Sequence, residues 1–196
     1  GTLLFSADTV AVAAESQAVA RVGNATYTSV QEAFGRTTLK NTTVTLLADV
    51  TESVTITSPK GVRSVTFDLN GHALQAAGSA AITAPANMQL TITGSGTVAG
   101  GDNPAIDCRG ASRIQGGNFT SNTTLMRFAE TGSTSAEASI SAGTFTAPAL
   151  IGMLDDAEHL GYVSIRGGEY HGAIPAGLDT LVLMGGSFST TENLTP

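Results

Sequence analysis

The chain has 196 residues and a formal net charge of −7, with 41% hydrophobic, 13% charged and 5% aromatic residues and no Trp. This length predicts one domain, and the apolar fraction suits a continuous core rather than a disordered chain. The negative charge argues against nucleic acid, whose binding relies on clustered Lys and Arg, and no apolar run approaches the ~20 residues of a membrane span.

The region before the first repeated strands is predicted to close one end of the fold. Residues 19–28 indicate a short strand pair that turns at Gly23. Residues 29–36 predict a helix, because Ser29 followed three positions later by Glu32 has the capping-box form. A short amphipathic helix in this place would cover the apolar end and the strand edges of a stack.

After residue 41 the sequence alternates apolar residues with Thr or Ser, which is the period-two pattern of half-buried strands. We expect the apolar set to face a core and the hydroxyls to face water or one another. Asn70-Gly71 suits a turn with left-handed backbone angles. The predicted strands lie at residues 43–47, 53–57, 64–69, 81–83, 105–107, 125–128, 149–151 and 172–174.

Five stretches repeat one unit, made of a small β-rich run, a Gly-containing corner and one apolar or aromatic residue. The last four aromatics lie 26, 25 and 18 residues apart, each five positions after an aliphatic residue. A recurring unit of this size indicates a solenoid, and like segments with like corners favour parallel stacking over a β-sandwich. The stretches are LTITGSGTV at residues 90–98, SRIQGGNF at 112–119, SISAGTF at 139–145, SIRGGEY at 164–170 and VLMGGSF at 182–188.

The repeated unit also predicts which side chains point inward. Each inward side chain contributes roughly 1.5–3 kcal/mol on burial, so ladders of them would hold the stack together. Two outward positions flank each corner, one after the inward aliphatic residue and one before the inward aromatic residue. Over successive repeats, neither position forms a series of carboxylates. The inward pairs are Ile114/Phe119, Ile140/Phe145, Ile165/Tyr170 and Leu183/Phe188. The outward columns are Gln115, Ser141, Arg166, Met184 and Asn118, Thr144, Glu169, Ser187.

Several pieces of the sequence occur in a distinctive order: YTSVQEAF at residues 27–34, VTLLADV at 44–50, FDLNGHAL at 67–74, LTITGSGTV at 90–98, and the Gly-Gly-aromatic runs. In this order they resemble β-helix domains of secreted and cell-surface proteins from Gram-positive gut-type bacteria. The resemblance implies an all-β fold, a right-handed parallel β-helix (solenoid) of the pectate-lyase-like type with a short N-terminal capping helix. It also implies a protein that is secreted or associated with the cell wall or cell surface.

The expected organisation is a single domain in three parts. These are an N-terminal segment at residues 1–21, a cap with the short helix at residues 22–40, and the β-helix coils at residues 41–196.

Enzymes with this type of fold that cut acidic polysaccharides provide the alternative function. The lyases need carboxylates that hold calcium and an Arg or Lys base, and the hydrolases need two opposed carboxylates. The resemblance implies that Gly-His-Gly and Arg-Ile-Lys elements follow an Asp-Asp pair in the hydrolases. Here Gly71-His72 and Arg113-Ile114 are incomplete and precede Asp155-Asp156. We therefore predict no catalytic and no cofactor-binding residues, and keep a polysaccharide lyase or glycoside hydrolase as the alternative.

The densest acidic stretch has two interpretations. Asp155, Asp156 and Glu158 are the predicted metal ligands, since calcium takes six to eight oxygens and these carboxylates would donate some of them. The other interpretation is a solvated loop between coils. Cys108 is the only cysteine, so no intrachain disulfide forms, and its apolar surroundings predict a buried thiol rather than a nucleophile.

Two further groups are candidates for ligand binding. Asp107 and Arg109, with Arg127 one coil further on, form either a charged binding patch or an ion pair between coils. Tyr162 and His171 flank a possible sugar-stacking surface with Tyr170, although the ladder assigns Tyr170 to the core. The sequence therefore favours a non-catalytic, structural or adhesive β-solenoid that presents faces and loops to glycans or protein partners.

Overall fold

The computed structural model describes residues 17–57, 59, 61–130, 137–178 and 180–190. The predicted N-terminal segment therefore lies outside the described residues up to residue 16. The described chain is mostly strand, with the one short helix α1 (Val30–Gly35). In chain order the strands are β1 (Ala20–Val22), β2 (Ala25–Tyr27), β3 (Thr43–Leu46), β4 (Val50–Thr51), β5 (Val54–Thr55), β6 (Ser64–Asp68), β7 (Ala73–Gln75), β8 (Ile82–Ala84), β9 (Gln89–Thr93), β10 (Thr97–Ala99), β11 (Ile106–Cys108), β12 (Ala111–Thr120), β13 (Thr124–Phe128), β14 (Glu137–Met153), β15 (Tyr162–Ile165), β16 (Glu169–Ala173), β17 (Leu181–Leu183) and β18 (Ser187–Phe188).

The strands stack on three faces, and on each face they pair in parallel with strands of the neighbouring coils. The first face contains β3, β6, β9, β12, β14, β15 and β17. The second contains β4, β7, β10, β12, β14, β16 and β18. The third contains β5, β8, β11, β13 and β14. The long strands β12 and β14 continue around corners. The predicted parallel β-solenoid is confirmed.

The core of the second face is a stack of aromatic rings. The ring centroids of Phe119 and Phe145, Phe145 and Tyr170, and Tyr170 and Phe188 lie 5.1, 4.7 and 4.7 Å apart. The rings are within 14° of parallel. Towards the N-terminus the same column continues with Val98, which pairs in register with Phe119. The predicted inward aromatic ladder is therefore confirmed.

The aliphatic ladder of the first face is also in register, because Ile140 pairs with both Ile114 and Ile165. Leu183 continues the ladder and pairs with Ile165, but 40% of it is exposed because no further described strand covers it. One part of the predicted register is wrong. Gln115 pairs with Ala142 rather than Ser141, because the pairing of β12 with β14 shifts at the corner.

Glycines fill the corner between the first and second faces. We call Gly96, Gly117, Gly143, Gly168 and Gly186 the glycine column; their φ angles range from 98° to 139°, where side chains are strained. A Cβ atom on Gly143 would lie 2.9 Å from the carbonyl oxygen of Gly117 in the preceding coil. The glycines are therefore required by the close approach of successive coils.

The N-terminal end of the stack is closed by the hairpin and the helix, as predicted. β1 pairs with β2 and with the first-face strand β3, both in antiparallel orientation. Helix α1 buries Val30, Ala33 and Phe34 completely, and the Phe34 ring meets the edge of Phe67 at a centroid distance of 5.4 Å. This arrangement covers the apolar end of the first coil.

The predicted helix start is confirmed, with a second cap that comes from the coils. Ser29 is the N-cap, and its Oγ accepts a hydrogen bond from the Glu32 amide at 3.1 Å. The Glu52 carboxylate accepts bonds from the amides of Val30 and Gln31 at 2.8 and 3.0 Å. A carboxylate at this position satisfies open amides and favours the positive end of the helix. The helix is thus fastened to the loop before β5.

Candidate functional site

The charged residues predicted for ligand binding form an ion-paired cluster on the third face. Asp107 in β11 and Arg127 in β13 are paired in register, one coil apart. Arg127 donates from Nε to Asp107 Oδ1 at 2.8 Å and from Nη2 to Oδ2 at 2.7 Å. Their side chains are 23% and 14% exposed, so this bidentate pair is largely shielded from solvent. The predicted ion pair between coils is confirmed.

The loop after β14 adds two aspartates to this cluster. Asp155 accepts a hydrogen bond from Nη1 of Arg127 at 3.1 Å, and Asp156 pairs with Nη2 of Arg109. Leu154 holds the loop in place, since it is buried and its amide donates to the carbonyl oxygen of Phe128 at 3.0 Å. The basic residues Arg109 and Arg127 and the acidic loop, which are separate candidate sites in the sequence, therefore lie side by side.

Two members of the cluster, Asp156 and Arg127, are stabilised in their charged forms. The hydrogen bond from Arg109 holds the pKa of Asp156 below its usual range. The hydrogen bond to Asp107 raises the pKa of Arg127, against the opposing effect of burial. A general acid needs a carboxyl pKa that is raised instead, so Asp156 is poorly suited to acid catalysis. Because the Asp155 and Asp156 side chains are 92% and 69% exposed, their pairs contribute little to stability.

The predicted metal ligands do not converge. Among the residues that the structure describes, no group of three or more His, Cys, Asp or Glu side chains is arranged to hold a metal ion. Asp155 and Asp156 each form a hydrogen bond with an arginine instead. Calcium binding at this loop stays a prediction, without support from the geometry.

The predicted sugar-stacking residues lie apart. Tyr162 is in β15 on the first face and is 39% exposed, whereas His171 is in β16 on the second face. Tyr170 is in the core, where its hydroxyl donates to the carbonyl oxygen of Gly167 at 2.7 Å and burial raises its pKa. The three side chains therefore form no common aromatic surface, and binding at Tyr162 or His171 stays a prediction.

A shallow groove of about 410 Å³ follows the glycine column along the outside of the corner. One wall is the outward column of the second face, in which Asn118, Thr144 and Glu169 pair in register on successive coils. The glycines keep the floor low, and the wall offers an amide, a hydroxyl and a carboxylate about 4.8 Å apart. We call this feature the corner groove.

The sequence contains the signal for the corner groove. The outward column is predicted correctly, and the glycine runs are predicted as tight corners. The concave surface itself follows only when the glycines of successive coils lie over one another, with the polar column beside them.

Within the described residues, no helix is long and apolar enough to cross a membrane. Comparisons of the chain with models of protein families, with curated proteins and with solved structures find no match. The fold is therefore assigned from the strand pairing and the stacked core.

Proposed function

We propose that this chain is a non-catalytic β-solenoid with a structural or adhesive role, which presents its outer faces to glycans or protein partners. Its setting is the bacterial cell surface or the secreted fraction, as the resemblance to pectate-lyase-like surface domains implies. The corner groove is the observation that carries the proposal. Its wall repeats polar groups at the spacing of the coils, which suits an extended ligand that itself repeats, such as a glycan.

The rigid frame supports this role. Each residue of the groove wall directly precedes a ring of the aromatic stack in the sequence. Thr144 precedes Phe145 and Glu169 precedes Tyr170, and both rings are completely buried. Polar groups that rest on such a core lose little conformational entropy when they bind a ligand.

The charged cluster argues against the enzymatic alternative. Asp155 and Asp156 are the paired carboxylates considered for a polysaccharide lyase or hydrolase, and both face arginines in the ion-paired cluster. A carboxylate held in its charged form by Arg109 does not provide the proton that glycosidic cleavage requires.

A glycan array with three proteins tests the proposal. The wild type is expected to bind a subset of glycans. Thr144→Arg places a long side chain in the groove and is expected to weaken binding at least about tenfold. Thr146→Arg is the matched control, because Thr146 is exposed in the same strand and does not line the groove.

Three results would overturn glycan adhesion at the corner groove. The first is equal binding by the wild type and both variants, and the second is no glycan bound at all. The third is the release of unsaturated or reducing ends from pectin, alginate or glycosaminoglycans, with turnover lost in Asp155→Ala or Asp156→Ala, which would establish the enzymatic alternative.

A further inference from the structure

A polar pocket of about 270 Å³ lies at the capped end, between the N-terminal hairpin and the turn that leads into β3. Arg21 in β1 and Lys40 in the turn both line it, together with Asn41, Thr43 and Thr45. No Asp or Glu is among its lining residues. Two cations without a carboxylate are notable in a chain whose net charge is −7. We call this feature the cap pocket.

Three of the side chains that line the cap pocket form no side-chain ion pair or hydrogen bond with another described residue. Within the described part of the chain, neither Arg21 nor Lys40 forms an ion pair, in contrast to Arg109 and Arg127. Thr45 is only 8% exposed, and its hydroxyl forms no hydrogen bond to another described residue. Because Thr45 lines the cavity, its hydroxyl is available to a ligand in the pocket. This hydroxyl is not among the described buried polar atoms that lack a partner, so a ligand would take the place of water there.

Both walls of the cap pocket are fixed by the backbone. Arg21 pairs directly with Thr45 across β1 and β3. The turn that carries Lys40 is closed by two backbone hydrogen bonds between Thr38 and Asn41, of 2.8 and 3.0 Å. The backbone positions that carry the two cations are therefore fixed before any ligand arrives, and the exposed side chains of Arg21 and Lys40 reach the pocket from these positions.

We propose that the cap pocket binds a tetrahedral oxyanion, sulfate or phosphate, either as the free ion or as an ester group of a larger molecule. Arg21 offers a guanidinium fork and Lys40 a point charge, and both form strong hydrogen bonds with oxyanions. The hydroxyls of Thr43 and Thr45 supply neutral donors from the floor. An anion between the cations also replaces their mutual repulsion with attraction.

The nearest acidic neighbour in the sheet is oriented towards its own turn. Asp68 pairs in register with Thr45, but its Oδ1 accepts a hydrogen bond from the Asn70 amide at 3.0 Å. The cap pocket lies at the opposite end of the first face from β17, and the proposal does not depend on an adhesive role for the corner groove.

Backbone amide NMR of the full chain tests the proposal, with sodium sulfate and sodium phosphate as probes and sodium chloride at matched ionic strength as the reference. We expect saturable shifts at Arg21, Thr43 and Thr45 with sulfate or phosphate, and none with chloride. The double variant Arg21→Gln/Lys40→Gln is expected to weaken the apparent affinity at least about tenfold. A sulfated and a phosphorylated monosaccharide then identify the source: tighter binding than the free ion indicates an ester group, and equal binding indicates the ion itself.

Two further variants separate binding from folding. Thr45→Val keeps the branched shape of the side chain and removes the hydroxyl, so we expect weaker binding without a change in the amide spectrum elsewhere. Arg113→Gln removes another exposed arginine of the first face, one that lines no part of the pocket, and is expected to leave the affinity unchanged. Linear, unsaturable shifts, or equal losses in Arg113→Gln and the double variant, would overturn the proposal.

Discussion

Replacing Phe145 by Ala removes one of the two inner rings of the four-ring aromatic stack. Phe145 is completely buried and contacts one ring on each side, with centroids 5.1 Å from Phe119 and 4.7 Å from Tyr170. Phe188 provides the matched control, because it ends the same stack, has one ring neighbour and is only partly buried. The two substitutions delete the same atoms from different depths of one ladder.

The structure predicts a clear difference between the two costs. A buried Phe→Ala change costs about 3–5 kcal/mol, and an inner ring also loses two stacking contacts of about 0.5–1.5 kcal/mol each, which partly overlap with that figure. We therefore expect Phe145→Ala to lower the free energy of unfolding by about 4–5 kcal/mol. Phe188→Ala is expected to lower it by about 1–2 kcal/mol, since it buries less area and stacks on one side.

Urea unfolding followed by circular dichroism measures both costs, with the slope against denaturant as a check that the native state is unchanged. Equal losses in the two variants would refute the reasoning, because depth in the stack would then be irrelevant. A loss below about 2 kcal/mol for Phe145→Ala would show that neighbouring coils close over the gap.

Three further changes test other parts of the fold. Glu52→Gln is expected to lower the free energy of unfolding by about 1 kcal/mol and to speed hydrogen exchange at the start of α1, because the helix loses its charged cap. Gly172→Ala is expected to lower the free energy of unfolding, measured in urea, by about 3 kcal/mol or more, because its φ is 150° and an added Cβ atom would collide with a carbonyl of the preceding coil. Gly35→Ala is the control: an added Cβ atom would have no other atom within 4 Å, and the free energy of unfolding is expected to rise by about 0.4–1 kcal/mol. Burial raises the pKa of the Cys108 thiol from 9.0 to about 11 and raises that of Tyr170, so the unfolded chain loses these protons first. The part of the stability that depends on these protons should therefore be present in full below pH 9 and fall as the pH rises towards 11, and unchanged alkaline loss in Cys108→Ala would contradict the thiol's part in it.

The ladders can be predicted from sequence because their information is local. Strand alternation on each side of the glycine corner places Ile114 and Phe119 inward, and the same five-residue relation recurs at Ile140 and Phe145, so identical side chains stack in register. The cap is similarly local, because Ser29 and the turn at Gly23 carry their own signals.

Contacts between distant coils cannot be predicted in this way. Arg109 and Asp156 are 47 residues apart, and they meet because buried Leu154 turns the loop back over β13. Glu52 reaches the helix from 21 to 23 residues away. The shifted pairing of Gln115 depends on how two corners fit together, which alternation alone does not determine.

The glycine column has a consequence for how such a chain changes its length during evolution. In the last four repeats, successive aromatics are 26, 25 and 18 residues apart, yet the aliphatic-to-aromatic distance around the corner is always five. Towards the N-terminus the corresponding distance is six from Ile92 to Val98 and seven from Phe67 to Leu74, and these residues still pair in register with the next coil. The length of a coil can therefore change by a residue or two at this corner, as well as elsewhere in the coil, while the inward columns of both faces stay aligned.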